Sequence, residues 1–148
     1  MTPDTPRIAF VMGDPAGISN ELGARILADR GLTRDCSTLV IGDRRMLAWG
    51  ERIAGVSVEV TIVANPADAS DAAGAISLFD LGHGDPATIK LAEASAAGGA
   101  FALRNFKAGQ FRHGRDRFIA EFTREGQRFT LAAAFAVREE FGRTNAFT

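Results

Sequence analysis

Cysteine is nearly absent: Cys36 is alone among 148 residues, so no internal disulfide can staple the fold. The N-terminus has no basic stretch followed by an apolar core, which predicts a cytoplasmic chain rather than a secreted one. No apolar run approaches the roughly 18 residues of a membrane span, so no membrane partner is expected. Charge of one sign is missing as well. Seventeen Lys+Arg against 18 Asp+Glu leave a formal net charge of -1, and no global field calls for nucleic acid or an anionic surface. Histidine occurs only as His83 and His113, too few for a three-histidine metal site without other ligands. The expected partners are small molecules or other proteins, and the length suits one domain of ordinary size.

A further scarcity is internal. Residues 101–148 hold only 2 of the 16 Val+Ile but 9 of the 11 Phe, and 8 of the 15 Arg. Even spreading would put about five Val+Ile and about four Phe there. The composition therefore changes at about residue 100. Beyond residue 106 no run of β-branched residues is long enough for a buried strand. Phe111, Phe118, Phe122 and Phe129 fall on one face of a helix, which predicts a mostly helical or irregular tail. Its Arg and Phe could also stack and bind single-stranded nucleic acid, but aromatics at helical spacing are more often core.

Before that change the chain alternates. Arg7 to Met12 is a short apolar run ending at Gly13, as a strand buried on both faces reads. Ser19 or Asn20 can cap a following helix with Leu22, Ile26 and Leu27 on its apolar face, closed by Asp29-Arg30-Gly31. Thr38 to Ile41 repeats the strand, Gly42-Asp43 the turn, and Arg44 to Ile53 the helix, with Met46, Leu47 and Trp49 apolar. Val56 to Val63 alternates apolar and polar residues and suits a strand near a sheet edge, residues 64–75 form a polar connection, and Ile76 to Leu81 is a fourth strand. Asp85-Pro86 reads as the start of a helix carrying Ile89, Ala92, Ala96, Ala100 and Leu103 on one face, weakened or divided at Gly98-Gly99. Strands alternating with helices predict an α/β fold on a mainly parallel sheet.

In such sheets ligands bind beyond the carboxyl ends of the strands, where helix starts offer free N–H groups. The segment Gly13-Asp14-Pro15-Ala16-Gly17 lies at such a place, and makes Gly13, Asp14 and Gly17 the candidate cofactor-binding residues. Its spacing matches neither G-x-G-x-x-G nor G-x-x-x-x-G-K-[ST]. Asp14 would repel a bare phosphate, so a ribose hydroxyl or a backbone turn is its expected partner. The competing reading is a tight turn made by Asp14 and the two glycines. Arg44-Arg45 can bind an anion or solvate a helix start, His83 can be a ligand or bond a loop carbonyl or solvent, and His113 lies among Arg112, Arg115 and Arg117 as a surface residue. Cys36, between Asp35 and Ser37, has no cationic neighbour in sequence to activate its thiol.

The run Met12 to Glu21, MGDPAGISNE, resembles the N-terminal signature of the 4-hydroxythreonine-4-phosphate dehydrogenase family, usually M-G-D-P-A-G-I-G-P-E, with Ser19 and Asn20 in place of Gly and Pro. The likeness continues through Leu39 to Arg45 (LVIGDRR), Asp80-Leu81-Gly82-His83 with Asp85-Pro86, and Glu93 to Gly99 (EASAAGG), and so covers residues 7 to about 106. The resemblance implies the N-terminal part of a three-layer fold like that of the isocitrate and isopropylmalate dehydrogenases. It further implies a homodimer with a cleft between two domains, NAD(P) and a divalent metal as cofactors, and a phosphorylated hydroxy acid as substrate. The implied reaction is oxidation with decarboxylation, on the route to pyridoxal phosphate or in sugar-acid catabolism.

The resemblance carries no further. The family's three metal histidines, its phosphate-holding His-Thr pair and its Thr-Pro…Asn-Lys signature have no counterpart in this sequence, which reads Phe122 to Gln127 in roughly the last region. No catalytic or metal residue is thus assigned. Residues 1–106 are expected to be the N-terminal part of a dehydrogenase-like domain, and 107–148 a Phe/Arg-rich tail such as a frameshift or deletion produces, leaving the chain inactive. Two alternatives are a nucleotide-binding module without chemistry and an interaction module acting through the tail.

Overall fold

The computed structural model describes residues 5–110, 121–124 and 127–130. The chain divides into two compact units, Met1–Arg112 and His113–Thr148. In the first, β1 (Arg7–Val11), β2 (Ser37–Gly42), β3 (Thr61–Val63) and β4 (Ile76–Asp80) form one sheet in the order β1-β2-β4-β3. Every pairing in it is parallel. The short β3 lies at an edge, where its alternating pattern placed it. Only residues 61–63 of the longer Val56–Val63 run form the strand, because Val58 turns its N–H to the Glu51 carboxylate (2.7 Å) and buries its side chain.

Phe10, Val40 and Leu78 stand in register on one face of the sheet, and Val11 and Ile41 on the other. The helices α1 (Ser19–Ala28) and α3 (Arg44–Ala54) cover the first face. Gly23 of α1 lies against the Phe10 ring, and Gly50 of α3 lies against the backbone of Asn20 so closely that a Cβ would overlap it. The second face is covered by α4 (Ala96–Gln110), whose Gly109 approaches Val11 and Ile41. Leu27, Met46, Leu47, Val40 and Leu78 make the centre of the core. A four-residue helix α2 (Arg30–Thr33) follows α1, with the Asp29 carboxylate accepting from Gly31 N–H at 2.8 Å. α3 starts at the Asp43 cap and ends at Gly55, which takes the left-handed φ of 68° open to glycine.

Four sequence expectations fail. Of the apolar face drawn through Leu22, Ile26 and Leu27, only Leu27 is buried: it shares the inner face of α1 with Asn20, Gly23 and Ala24, and Leu22 is 47% exposed. Small residues face inward there because α1 lies close to both the sheet and α3. Neither Ser19 nor Asn20 caps this helix by its side chain. The helix expected from Asp85 does not form either. Asp85 caps a single 3-10 turn, Pro86–Thr88, after which Ile89 is extended and Ala92 takes φ 61°. α4 starts only after Ser95, whose hydroxyl accepts from Gly98 N–H at 3.0 Å. It then runs through Gly98-Gly99 undivided, with Gly98, Phe101, Asn105 and Gly109 on its buried face and Leu103 52% exposed.

The fourth failure is in the second unit. Phe122 and Phe129 do not share a helix face: β5 (Glu121–Arg124) and β6 (Gln127–Thr130) pair antiparallel, and the two phenylalanines are directly opposed. A spacing of seven suits a strand register as well as a helix face, and two residues, one of them glycine, separate the strands in sequence, as in the shortest hairpins. Phe111 and Phe118 lie outside the described residues, as does His113. Among the described residues no helix is long and apolar enough to cross a membrane.

Candidate functional site

Because β1, β2 and β4 are parallel, the segments that follow them emerge at one edge of the sheet. The loop after β1 folds on itself. Asp14 Oδ1 accepts from Ala16 N–H (2.9 Å), the Asp14 carbonyl accepts from Gly17 N–H (3.3 Å), and Ser19 Oγ accepts from Gly13 N–H (2.9 Å). The amides of Gly13, Ala16 and Gly17 are therefore occupied within the loop. Asp14 and Gly17 are exposed and Gly13 half-buried, so two of the three candidate residues stand on the surface of this edge.

The loops after β2 and β4 are tied to each other through Asp43, whose side chain is 1% exposed. Its Oδ1 accepts from Arg45 N–H (2.8 Å) as the cap of α3, and its Oδ2 accepts from Gly84 N–H (2.6 Å). The Arg45 guanidinium adds contacts of 3.3 Å to both oxygens and donates to the Gly82 carbonyl at 3.2 Å. Asp80 Oδ1 accepts from Arg44 N–H (3.2 Å) and Gly82 N–H (3.0 Å). Burial alone would raise the Asp43 pKa, but the Arg45 side chain, the Gly84 and Arg45 amides and the Arg45 charge outweigh it and hold the carboxyl below its ordinary value. Neither arginine of the pair presents a bare cation. Arg45 is held by Asp43, and Arg44 reaches along α3 to Glu51 Oε2 at 2.7 Å.

From the other face, α4 reaches under the same edge. Asn105, fully buried, donates from Nδ2 to the Met12 carbonyl at 2.9 Å. Ala92 N–H, ahead of α4, donates to the Ala16 carbonyl at 2.8 Å. The His83 ring packs on Phe101 of α4 with centroids 4.9 Å apart. Its Nε2 has no partner among the described residues, so the expected loop-carbonyl bond is not made by that atom. Cys36 is buried, with its thiol near the Thr33 carbonyl at 3.5 Å.

Sequence reasoning singled out the β1 loop and not Asp43 or Asn105. Asp43 had a readable signal, an acceptor side chain immediately before a helix. Asn105 had a fainter one, a polar residue four positions after Phe101 on an otherwise apolar helix face. Among the described residues no three or more His, Cys, Asp or Glu side chains come together to hold a metal ion.

No family model matches this chain. Over 104 residues it is 48% identical to a Rhizobium meliloti protein provisionally named 4-hydroxythreonine-4-phosphate dehydrogenase 2, covering 69% of this chain and 29% of the relative. It is 38% identical over 104 residues to the D-threonate 4-phosphate dehydrogenase of Pectobacterium atrosepticum, covering 68% of this chain and 31% of the relative. The crystal structure of a 4-hydroxythreonine-4-phosphate dehydrogenase from Burkholderia phymatum superimposes with a TM-score of 0.61 at 30% identity, over 70% of this chain and 31% of that one. The chain thus spans about three tenths of the length of these relatives.

Proposed function

Residues 7 to about 106 belong to the 4-hydroxythreonine-4-phosphate dehydrogenase family, and we propose that they form one wall of the crevice in which such an enzyme oxidises a phosphorylated hydroxy acid. The observation that carries this reading is the convergence of the Met12–Gly17, Asp43–Arg45 and Asp80–Asp85 segments at the carboxyl edge of a parallel sheet. Substrate class, nicotinamide cofactor and homodimeric assembly follow from the family resemblance and are part of the proposal.

The β1 loop does not suit a pyrophosphate, because its Gly13, Ala16 and Gly17 amides already have acceptors. It suits a hydroxyl donor. Asp14 carries an exposed carboxylate that can accept from a ribose or substrate hydroxyl, while Gly13 and Gly17 let backbone approach closely. The nicotinamide, when bound, supplies the hydride acceptor. The described residues do not fit a divalent metal, and the whole sequence has two histidines where the family resemblance implies three ligands of that type. These 148 residues therefore bind at most part of the cofactor or substrate and do not turn it over by themselves.

Two measurements test this. Calorimetry with NAD(P) should show saturable binding that Asp14→Ala abolishes; heats indistinguishable from dilution in the wild-type chain sink the cofactor assignment. With NAD(P), a divalent metal and 4-hydroxythreonine 4-phosphate or threonate 4-phosphate, the chain should produce no reduced cofactor above a blank, and turnover would refute the inactivity. The loss of Val+Ile after residue 100 further supports a shifted reading frame. Translation of the coding and downstream DNA should reveal a Thr-Pro…Asn-Lys continuation in another frame, and its absence from every frame would reject the shift.

A further inference from the structure

Glycine is a poor helix residue, yet α4 carries Gly98 in its first turn, on the buried face. A Cβ at this position would stand 2.5 Å from Asp14 Oδ1 and 3.3 Å from Asp14 Cγ. That oxygen is not free to swing away without loss, because it accepts the Ala16 N–H at 2.9 Å and so closes the β1 loop. The same stretch of chain holds the loop at two other points, through Asn105 Nδ2 on the Met12 carbonyl and Ala92 N–H on the Ala16 carbonyl. We propose that Gly98 is a positioning residue: its bare backbone gives the Asp14 carboxylate the room to lie against the start of α4, and so sets the conformation of the Gly13–Gly17 loop.

The significance of that conformation for ligand binding rests on the proposed function; the contact itself does not. A methyl group at 98 has two opposing effects. The helix gains propensity, and the loop loses the Asp14–Ala16 bond as the carboxylate rotates. Both are effects of similar size. Stability alone then scarcely registers the substitution while the loop does, as expected of a positional rather than a stabilising role.

The test uses the full chain with Gly98→Ala, Asp14→Ala and the double variant, read by urea unfolding and by amide hydrogen exchange resolved to single residues. Gly98→Ala alone should leave the unfolding equilibrium constant within about twofold and speed exchange of the Ala16 amide about fivefold or more, with β2 and β4 unchanged. In the Asp14→Ala background, where no carboxylate opposes the methyl, the same Gly98→Ala should favour the folded state by about fivefold. Equal stabilisation in both backgrounds with an unchanged Ala16 amide would overturn the proposal. Exchange is read without ligand, so failure of NAD(P) binding, seen by calorimetry, counts against the proposed function and not against the role of Gly98.

Discussion

Asp43 offers the sharpest test of how this crevice is held. Its carboxylate caps α3 through Arg45 N–H and, across the edge of the sheet, accepts the buried Gly84 N–H. Loss of an N-cap costs about 1 kcal/mol, and stranding a buried donor costs about 1–3 kcal/mol. Asp43→Ala removes both acceptors and is expected to destabilise by about 2–4 kcal/mol. Asp43→Asn keeps a capping oxygen but sets an amide donor against Gly84 N–H or the Arg45 side chain, for about 1–3 kcal/mol. Trp49, the single tryptophan, lies in α3 against the core and reports the unfolding by fluorescence. With an m-value of about 2 kcal/mol/M in urea, the alanine variant should unfold about 1–2 M earlier and the asparagine variant about 0.5–1.5 M earlier. An asparagine variant with an unchanged midpoint would refute the Asp43–Gly84 link.

The same residue gives a pH dependence of known sign. The folded state lowers the Asp43 pKa, so its contribution is present above the unfolded value of about 3.9 and is lost as pH falls through the lower folded value. The stability gap between wild type and Asp43→Asn should therefore be constant from about pH 5 to 8 and narrow below about pH 4. A gap that narrows instead as pH rises towards 8 would reverse the assignment.

Other perturbations separate buried from merely apolar positions. Leu22→Glu should change stability by no more than about 0.5 kcal/mol, whereas Leu27→Ala on the inner face of α1 should cost about 2–5 kcal/mol by urea unfolding. Gly50→Ala should destabilise by about 1–3 kcal/mol despite the better helix propensity, because the new Cβ meets the Asn20 backbone rather than a movable side chain; a stabilised variant would mean that α1 and α3 are further apart. Glu51→Ala removes the acceptor of Val58 N–H and the partner of Arg44, at about 2 kcal/mol, and Glu51→Gln should recover part of that by keeping an acceptor for Val58.

The alternation of strand and helix was legible because β1, β2 and β4 are short apolar runs stopped by glycine or a polar turn and β3 ends an alternating run. Burial within the helices was less legible. On α1 and α4 the inward positions include Gly23, Ala24, Gly98 and Gly109, residues with little or no side chain, so hydrophobicity marked the wrong stripe and pointed to Leu22 and Leu103. Close approach, rather than apolar area, selects those positions, and a periodicity argument weighs only area. The helix expected from Asp85-Pro86 failed for a related reason. The cap was read correctly, but nothing local shows that Ala92 N–H will be drawn to the Ala16 carbonyl and delay the helix to Ala96. Phe122 and Phe129 fitted two periods at once, seven apart for a helix and opposed for a hairpin.

Several of the motifs that carry the family resemblance touch one another. Asp43 of the second holds Gly84, which lies between the two parts of the third, Arg45 holds Gly82, and Gly98 of the fourth lies against Asp14 of the first. Asp43 is answerable to the shape of the strand ends before it is answerable to any reaction, since its loss would strand the buried Gly84 N–H. Identity in these motifs therefore measures how faithfully the wall is built. It can persist where the described residues bring no metal-ligand cluster together, and 48% identity over 104 residues supports the fold of the strand ends more strongly than it supports turnover. The residue that bears on function most directly is then Asp14. Its carboxylate is exposed and also bonded within the loop, and only cofactor titration separates those two roles.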